Sequence, residues 1–86
     1  MSKGSWSATA VDSTVLDADT YRAEIALQHW SGDEVYLGFG EAAVVGEGIR
    51  LSSGAAYIQI SDHRARLAIH MICDTAKTAS GGYQTA

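Results

Sequence analysis

Tyr21-Arg22-Ala23-Glu24-Ile25-Ala26-Leu27-Gln28-His29 alternates between two kinds of side chain along its whole length. Tyr, Ala, Ile, Leu and His occupy the odd positions, and Arg, Glu, Ala and Gln occupy the even ones. Successive side chains of a β-strand point to opposite faces of the sheet, whereas a helical face repeats every 3.6 residues. The period of two therefore predicts a half-buried strand whose mostly apolar, odd-numbered side chains face inward.

The same period recurs in short segments along the rest of the chain. Turn-forming residues separate these segments, such as Trp30-Ser31-Gly32-Asp33 after the first quoted strand and Ser52-Ser53-Gly54 further on. The pattern predicts an all-β domain, a small antiparallel β-sandwich or barrel of six or seven short strands. The clearest predicted strands lie at residues 5–11, 21–29, 34–39, 49–51, 56–60 and 65–73.

Residues 65–73 carry the clearest alternation, with Ala65 and Cys73 at the two ends of the apolar face. A helix that begins at Ser61-Asp62 is the alternative, because Ser and Asp are favoured N-caps. Nearly strict alternation over the segment favours the strand. By contrast, the glycine-bracketed apolar segment Glu41-Ala42-Ala43-Val44-Val45 is too short for a stable helix, and we predict that it is a loop that crosses the core.

The two ends of the chain are poorly patterned. After Asp74 the residues are small, polar and rich in glycine, which fits either a poor edge strand or a flexible tail. We therefore predict one β domain over residues 1–86, with residues 1–4 and 75–86 as flexible or partner-docking ends. A further hypothesis is that residues 1–12 and 75–86 become ordered only on binding.

The composition excludes several classes of protein. With 47% hydrophobic and 19% charged residues, the chain has enough apolar content to form a core. A formal net charge of -4 argues against nucleic-acid binding, which needs clustered cations. No apolar run approaches the roughly 20 residues of a membrane span, and the first residues lack the apolar region of a signal peptide. We therefore expect synthesis in the cytoplasm and no membrane or nucleic-acid partner.

The chain is short, and its sequence shows no disulfide or metal site that would stabilise the fold. Cys73 is its single cysteine, which excludes an intrachain disulfide, and no cysteine and histidine residues have zinc-binding spacing. A domain of about this size buries roughly 60% of its unfolded surface, so its core is modest. We expect self-association or a partner surface to complete its stability.

No arrangement of residues in the sequence predicts catalysis. The three histidines, His29, His63 and His70, fall on different predicted elements, and no spacing requires them to converge. Cys73 lies on the apolar phase of its strand, where burial makes a thiol unreactive. We therefore predict a protein that is not an enzyme and that has no catalytic, cofactor-binding or metal-binding residues.

Candidate partner-binding residues are the two tryptophans, one basic stripe and a C-terminal tyrosine. Tryptophan is enriched where interfaces concentrate their binding energy, although a tryptophan beside a strand end can equally cap the core. The stripe is the only basic one in an acidic chain, and it is either a solvated face or a contact for an acidic partner. The candidates are Trp6, Trp30, Arg64, Arg66, His70 and Tyr83.

The order of short motifs resembles a group of small β-rich structural proteins of tailed bacteriophages. The resemblance is carried by Arg22 at the head of an alternating strand, Val35-Tyr36-Leu37-Gly38-Phe39-Gly40, Gly48-Ile49-Arg50-Leu51 and Ile69-His70-Met71-Ile72-Cys73-Asp74-Thr75. It covers about 70 residues. The chain departs from the group's pattern at His29-Trp30 in place of asparagine, at Ala55 in place of an acidic residue, and in the final strand over residues 77–82.

The resemblance implies a non-enzymatic protein of the virion, either a capsid decoration or cement protein or a small tail- or fibre-associated protein. From it we expect a self-associating module, a homotrimer, that binds the major capsid protein or another virion protein and stabilises the head. An alternative of a different class is a module that binds a small ligand or a carbohydrate, with Trp30, Tyr36 and Tyr57 as a stacking platform.

Overall fold

The computed structural model of the protein describes residues 2–54 and 56–86, so the departure noted at Ala55 lies outside the described residues. It contains eight β-strands and one short 3-10 helix, His63–Arg66. Among the described residues, no helix has the length and apolar character to cross a membrane. The strands are β1 Ser2–Ala8, β2 Ser13–Leu16, β3 Ile25–Gly32, β4 Val35–Phe39, β5 Ile49–Leu51, β6 Tyr57–Ile60, β7 Ile69–Ile72 and β8 Ala79–Thr85.

The strands form two four-stranded antiparallel sheets that pack face to face. The first sheet has the order β1-β8-β3-β6, and the second has the order β2-β7-β4-β5. Eight strands shared between two sheets in this order form a jelly-roll sandwich. The predicted all-β sandwich is thus confirmed, with eight strands in place of the six or seven expected.

The core lies between the inward faces of the two sheets. Alternation along each strand sends every second side chain inward, as in β3, where Ile25, Leu27 and His29 are all fully buried. The inner face of the second sheet carries a similar number of apolar side chains. These pack against the inner face of the first sheet and exclude water from the interface between them. The buried cluster comprises Trp6, Ala8, Ile25, Leu27, Val35, Leu37, Leu51, Ile60, Ala65, Ile69, Met71, Cys73 and Ala79.

The strand predicted at residues 21–29 is displaced toward the C-terminus. Its inward phase is correct from Ile25 onward, but Tyr21 lies in a loop and is 96% exposed. Trp30, Ser31 and Gly32 continue β3 and do not form the predicted turn. A bulge between His29 and Ser31 lets the strand extend while its pairing with β8 shifts.

Arg22, predicted to lie on the polar phase, is buried instead. Its Nε donates to the carbonyl of Ala65 at 2.5 Å, and its two terminal nitrogens donate to the carbonyls of Asp17 and Leu67 at 3.1 and 2.9 Å. A guanidinium has donors fixed in a planar fork, so one side chain can satisfy several buried carbonyls at once. Arg22 thereby ties the segment before β3 to the segment between β6 and β7.

The nine-residue strand predicted at 65–73 is wrong in its first half. The chain forms the 3-10 helix at His63–Arg66, and only Ile69–Ile72 is strand. The side chain of Asp62 caps the helix by accepting the backbone N–H of Arg64 at 2.9 Å. The helical start considered at Ser61-Asp62 therefore forms, although it lasts only four residues.

Both ends predicted as flexible or docking segments contain strands. Residues Ser2–Ala8 pair with Ala79–Thr85 along their whole length, and β8 lies in the interior of the first sheet, between β1 and β3. Residues 79–85 are therefore neither an edge strand nor a tail. Their small size has a steric cause, because added β-carbons at Gly81 and Gly82 would collide with the rings of Trp6 and Trp30.

The loop between β4 and β5 does not cross the core as predicted. Its residues Glu41, Ala42 and Ala43 lie against the outer face of β4 at Gly38, where an added β-carbon would be 2.5 Å from the Glu41 carbonyl oxygen. Of its apolar side chains only Ala43 is buried, and the two valines that follow face solvent. Gly38 thus allows the loop to cover the outer surface of the second sheet.

Candidate functional site

The residues predicted to bind a partner are dispersed over the molecule. Trp6 is 3% exposed and belongs to the core. Its ring lies edge-on to His29, with 6.0 Å between centroids, and its Nε1 donates to the Gly82 carbonyl at 3.2 Å. Tyr83 also packs against the core on the inner face of β8, where its ring covers Gly4. Trp6 therefore stabilises the sandwich and is not part of an exposed surface, whereas Tyr83 packs against the core but is only half-buried.

The predicted basic stripe is not formed, because its members lie on different elements. Arg64 is in the 3-10 helix, where it pairs with Asp62 at 3.0 Å and lies over the Phe39 ring, 5.3 Å from its centroid. Hydrogen bonding to Arg64 lowers the pKa of the Asp62 carboxyl. Arg66 is exposed in the same helix, whereas His70 is on β7. The Arg64 charge is therefore partly neutralised within its own loop.

Trp30 is the predicted residue that occupies a prominent surface position. It lies at the bulge of β3, is 60% exposed, and points to the outer face of the first sheet. Its ring lies over Gly82 of the neighbouring strand, which has no side chain to displace it. The indole therefore rests on the backbone of β8 with its outer face open to solvent.

Tyr57 lies on the same outer face, two strands from β8. It is 59% exposed, and its position on β6 is paired in register with Gln28 of β3, which is itself paired with Gly82. Its Oη donates to Gln59 Oε1 at 3.1 Å, and Gln59 Nε2 in turn donates to Glu24 Oε1. Trp30 and Tyr57 are thus two exposed aromatic rings on one face, and Gln28 lies in register between Tyr57 and Gly82, the glycine that the Trp30 ring covers.

These side chains line a groove on the outer face of the first sheet, which we call the outer groove. Its volume is about 660 Å³, within the roughly 300 to 1,000 Å³ typical of ligand sites. A smaller hollow of about 220 Å³ adjoins it and shares Ala26, Tyr57 and Gln84 with it. The outer groove is lined by Lys3, Gly4, Ser5, Ala26, Leu27, Gln28, Trp30, Tyr57, Gly82, Tyr83 and Gln84.

The third aromatic residue of the predicted stacking platform is elsewhere. Tyr36 is on β4 in the second sheet, where its hydroxyl donates to Glu34 at 3.3 Å. Sequence reasoning missed the polar lining of the groove, including Gln28 and Lys3. Both residues lie on the outward-facing side of their strands, where a polar side chain ordinarily contacts only solvent. Their meeting on one face follows from the strand order, which no local pattern contains.

The groups with most chemical reactivity are separated or buried. His29 Nε2 donates to the Asp33 carbonyl at 2.6 Å, and its Nδ1 has no hydrogen-bond partner among the described residues. Burial raises the pKa of the Cys73 thiol, and the charge of Asp33 adds to this effect. Within residues 2–54 and 56–86, no group of three or more His, Cys, Asp or Glu side chains is placed to hold a metal ion.

A second surface feature lies on the opposite side of the sandwich. Asp12 Oδ1 accepts the backbone N–H of Ala43 at 2.7 Å, and the Asp12 carboxylate also lies 3.3 Å from Nδ1 of His70. This contact brings the β1–β2 loop against the β4–β5 loop, which covers the outer face of the second sheet. The two loops joined in this way bear three solvent-exposed valines, which we call the valine patch: Val11, Val44 and Val45.

Comparisons of the chain with protein-family models, with curated proteins and with solved structures found no match.

Proposed function

We propose that the protein is a non-enzymatic structural module of a tailed-phage virion, a capsid decoration or cement protein. It would self-associate as a homotrimer and bind neighbouring copies of the major capsid protein, and so hold the shell together. The proposal rests on the motif resemblance and on a jelly-roll sandwich, an architecture used by capsid and lectin domains. A tail- or fibre-associated position is the closest alternative within the same class.

The observation that carries the proposal is the valine patch. Val11, Val44 and Val45 are 71%, 47% and 39% exposed, although valine gains free energy by leaving water. The Asp12–Ala43 hydrogen bond fixes the loops that bear them, so little further ordering is needed when a partner covers the patch. An exposed, pre-ordered apolar surface favours adhesion to another protein.

The free edge of β1 provides a second means of attachment. Among the residues that the structure describes, β1 pairs only with β8, so its seven residues form an edge of the first sheet. An unpaired edge has backbone N–H and C=O groups that can accept a strand from another chain. A second copy of this protein or an arm of a capsid subunit would extend the sheet there.

The test combines native mass measurement with separation of heads and tails. The purified chain should have three times its single-chain mass, and the protein should be found on heads of the phage that carries it. Val44→Asp should reduce binding to heads about tenfold or more, because it places a charge in an apolar contact. The matched control is Thr20→Asp, which adds the same charge to an exposed loop. A monomer that binds neither heads nor tails would refute the proposal.

A further inference from the structure

We propose that the outer groove binds a neutral carbohydrate chain. The sugar ring presents an apolar C–H face and a rim of hydroxyl groups, so its binding sites need an aromatic surface and nearby polar groups. Trp30 and Tyr57 provide the aromatic surface, and Gln28 lies in register between Tyr57 and Gly82, the residue under the Trp30 ring. This inference concerns the first sheet and does not depend on where in a particle the protein assembles.

Both aromatic rings are held in place before any ligand arrives. The Trp30 ring rests on Gly82, and the Tyr57 hydroxyl is fixed through Gln59 to Glu24. A ring that is already ordered loses little conformational entropy when a sugar stacks on it. The exposed edges and faces of the two rings are therefore available for stacking without a rearrangement of the sheet.

The polar groups of the groove match hydroxyl groups in hydrogen-bonding type. Each glutamine side chain has both a donor and an acceptor, as each sugar hydroxyl does. Gln28, Gln84 and Ser5 all line the groove. The floor includes Ala26 and Gly82, which are small enough to let a ring approach the sheet closely.

The charge of the groove favours a neutral ligand. Among the described residues that line it, Lys3 is the only charged one, and Glu24 lines the adjoining hollow. A nucleic acid or an acidic polysaccharide would need several cations along its path. A lipid chain would cover the polar amide of Gln28 with hydrocarbon, which is unfavourable. A peptide strand would pair with a sheet edge, whereas this groove lies on a sheet face.

The shape of the groove favours a chain over a single sugar. The main groove and the smaller hollow share Ala26, Tyr57 and Gln84, so they lie side by side on the outer face of the first sheet. A bound oligosaccharide would stack one ring on Trp30 and another near Tyr57. Its linkage would follow the outer surface of β3 between the two.

Binding is tested by titration of the full chain with neutral hexasaccharides: cellohexaose, maltohexaose, xylohexaose and N-acetylchitohexaose. Hexagalacturonate serves as the anionic comparison. Acrylamide quenching of tryptophan fluorescence reports on the site, because Trp30 is exposed and Trp6 is buried. We expect at least one neutral hexasaccharide to bind and to protect Trp30 from quenching.

Three variants and one control assign the binding to the groove. Trp30→Ala, Tyr57→Ala and Gln28→Leu should each weaken binding about tenfold or more. Tyr21→Ala removes a still more exposed aromatic ring outside the groove and should leave binding unchanged. If Trp30→Ala loses its fold, as judged by circular dichroism, Tyr57→Ala and Gln28→Leu still decide the question. The proposal is overturned if no neutral probe binds, if hexagalacturonate binds best, or if Tyr57→Ala and Gln28→Leu bind like the parent protein.

Discussion

Trp6 and Trp30 lie against opposite faces of one dipeptide, Gly81-Gly82 in β8. Trp6 covers Gly81 from the core, and Trp30 covers Gly82 from the outer face. Because neither glycine has a side chain, each indole can pack directly against the backbone of β8. The same dipeptide joins the core to the candidate ligand site. It contacts Trp6, which belongs to the core, and Trp30, which lines the outer groove.

Substitution of the two glycines should have different effects. At Gly81 an added β-carbon meets the backbone carbonyl of Gln28 as well as the Trp6 ring, and neither can move easily. We expect Gly81→Ala to lower the free energy of unfolding by about 1 to 3 kcal/mol in urea denaturation. At Gly82 the obstacle is the ring of Trp30, whose outer face is open to solvent, so an added β-carbon would push the ring outward. Gly82→Ala should cost less in stability but should displace the Trp30 ring.

A double variant separates the collision between residue 82 and the Trp30 ring from the change in backbone flexibility that any glycine-to-alanine substitution causes. Gly82→Ala should destabilise the parent protein and be nearly neutral when Trp30→Ala is already present, with a coupling free energy of about 1 kcal/mol. Equal costs in the two backgrounds would contradict the proposed contact between the ring and Gly82.

Arg22 should contribute far more to stability than an exposed arginine. Arg22→Met leaves the carbonyls of Ala65 and Leu67 without their donor, and unsatisfied buried groups are costly. We expect the free energy of unfolding to fall by about 3 kcal/mol, as measured by urea denaturation. Arg50→Met is the control, since Arg50 makes only an exposed pair with Glu34 at 3.6 Å. Its cost should be below about 0.5 kcal/mol, and equal costs would contradict the role assigned to Arg22.

Cys73 should react with iodoacetamide only when the protein unfolds. Its side chain is fully buried, and burial raises the thiol pKa, so less thiolate is present at pH 8 than for an ordinary cysteine. Alkylation of the native protein should be about a hundredfold slower than in urea. The control is Ser7→Cys in a Cys73→Ala background, which places a thiol on the exposed side of β1. Rapid native alkylation of Cys73 itself would show that the core opens readily.

Asp12 should control the order of the loop that bears two of the three valines. Its Oδ1 accepts the Ala43 N–H, so Asp12→Ala should speed hydrogen exchange of that amide about tenfold or more. Asp12→Asn keeps an oxygen acceptor for Ala43 but removes the negative charge near His70. It should leave the amide largely protected. If both variants exchange alike, the charge rather than the hydrogen bond orders the loop.

Local alternation predicted most of the sandwich but could not predict its strand order. It identified β5 and the inward residues of β3, because those strands have one apolar and one polar face. It failed for β8, because the small residues and glycines that leave room for two tryptophans give this strand the composition of a flexible tail. It also failed for Arg22, whose burial depends on carbonyl groups more than 40 residues away in the chain.

The candidate site was predictable in part. Residue type singles out Trp30, an aromatic side chain beside a predicted strand end, and Tyr57, an aromatic member of the predicted stacking platform. Tyr36 was grouped with them incorrectly, because residue type cannot say which sheet a strand joins. Gln28 and Lys3 became candidates only when the order β1-β8-β3-β6 placed them beside the two rings.

The interior position of β8 sets the order of events during synthesis. β1 is made first and β8 last, yet β1 reaches β3 in the sheet only through β8. A nascent chain that has not yet released residues 79–85 from the ribosome therefore exposes the inner edges of both β1 and β3. Those edges can pair with the wrong strand or with a second nascent chain. Folding of the first sheet therefore waits until residues 79–85 have left the ribosome, and its yield should depend on how soon that strand is released.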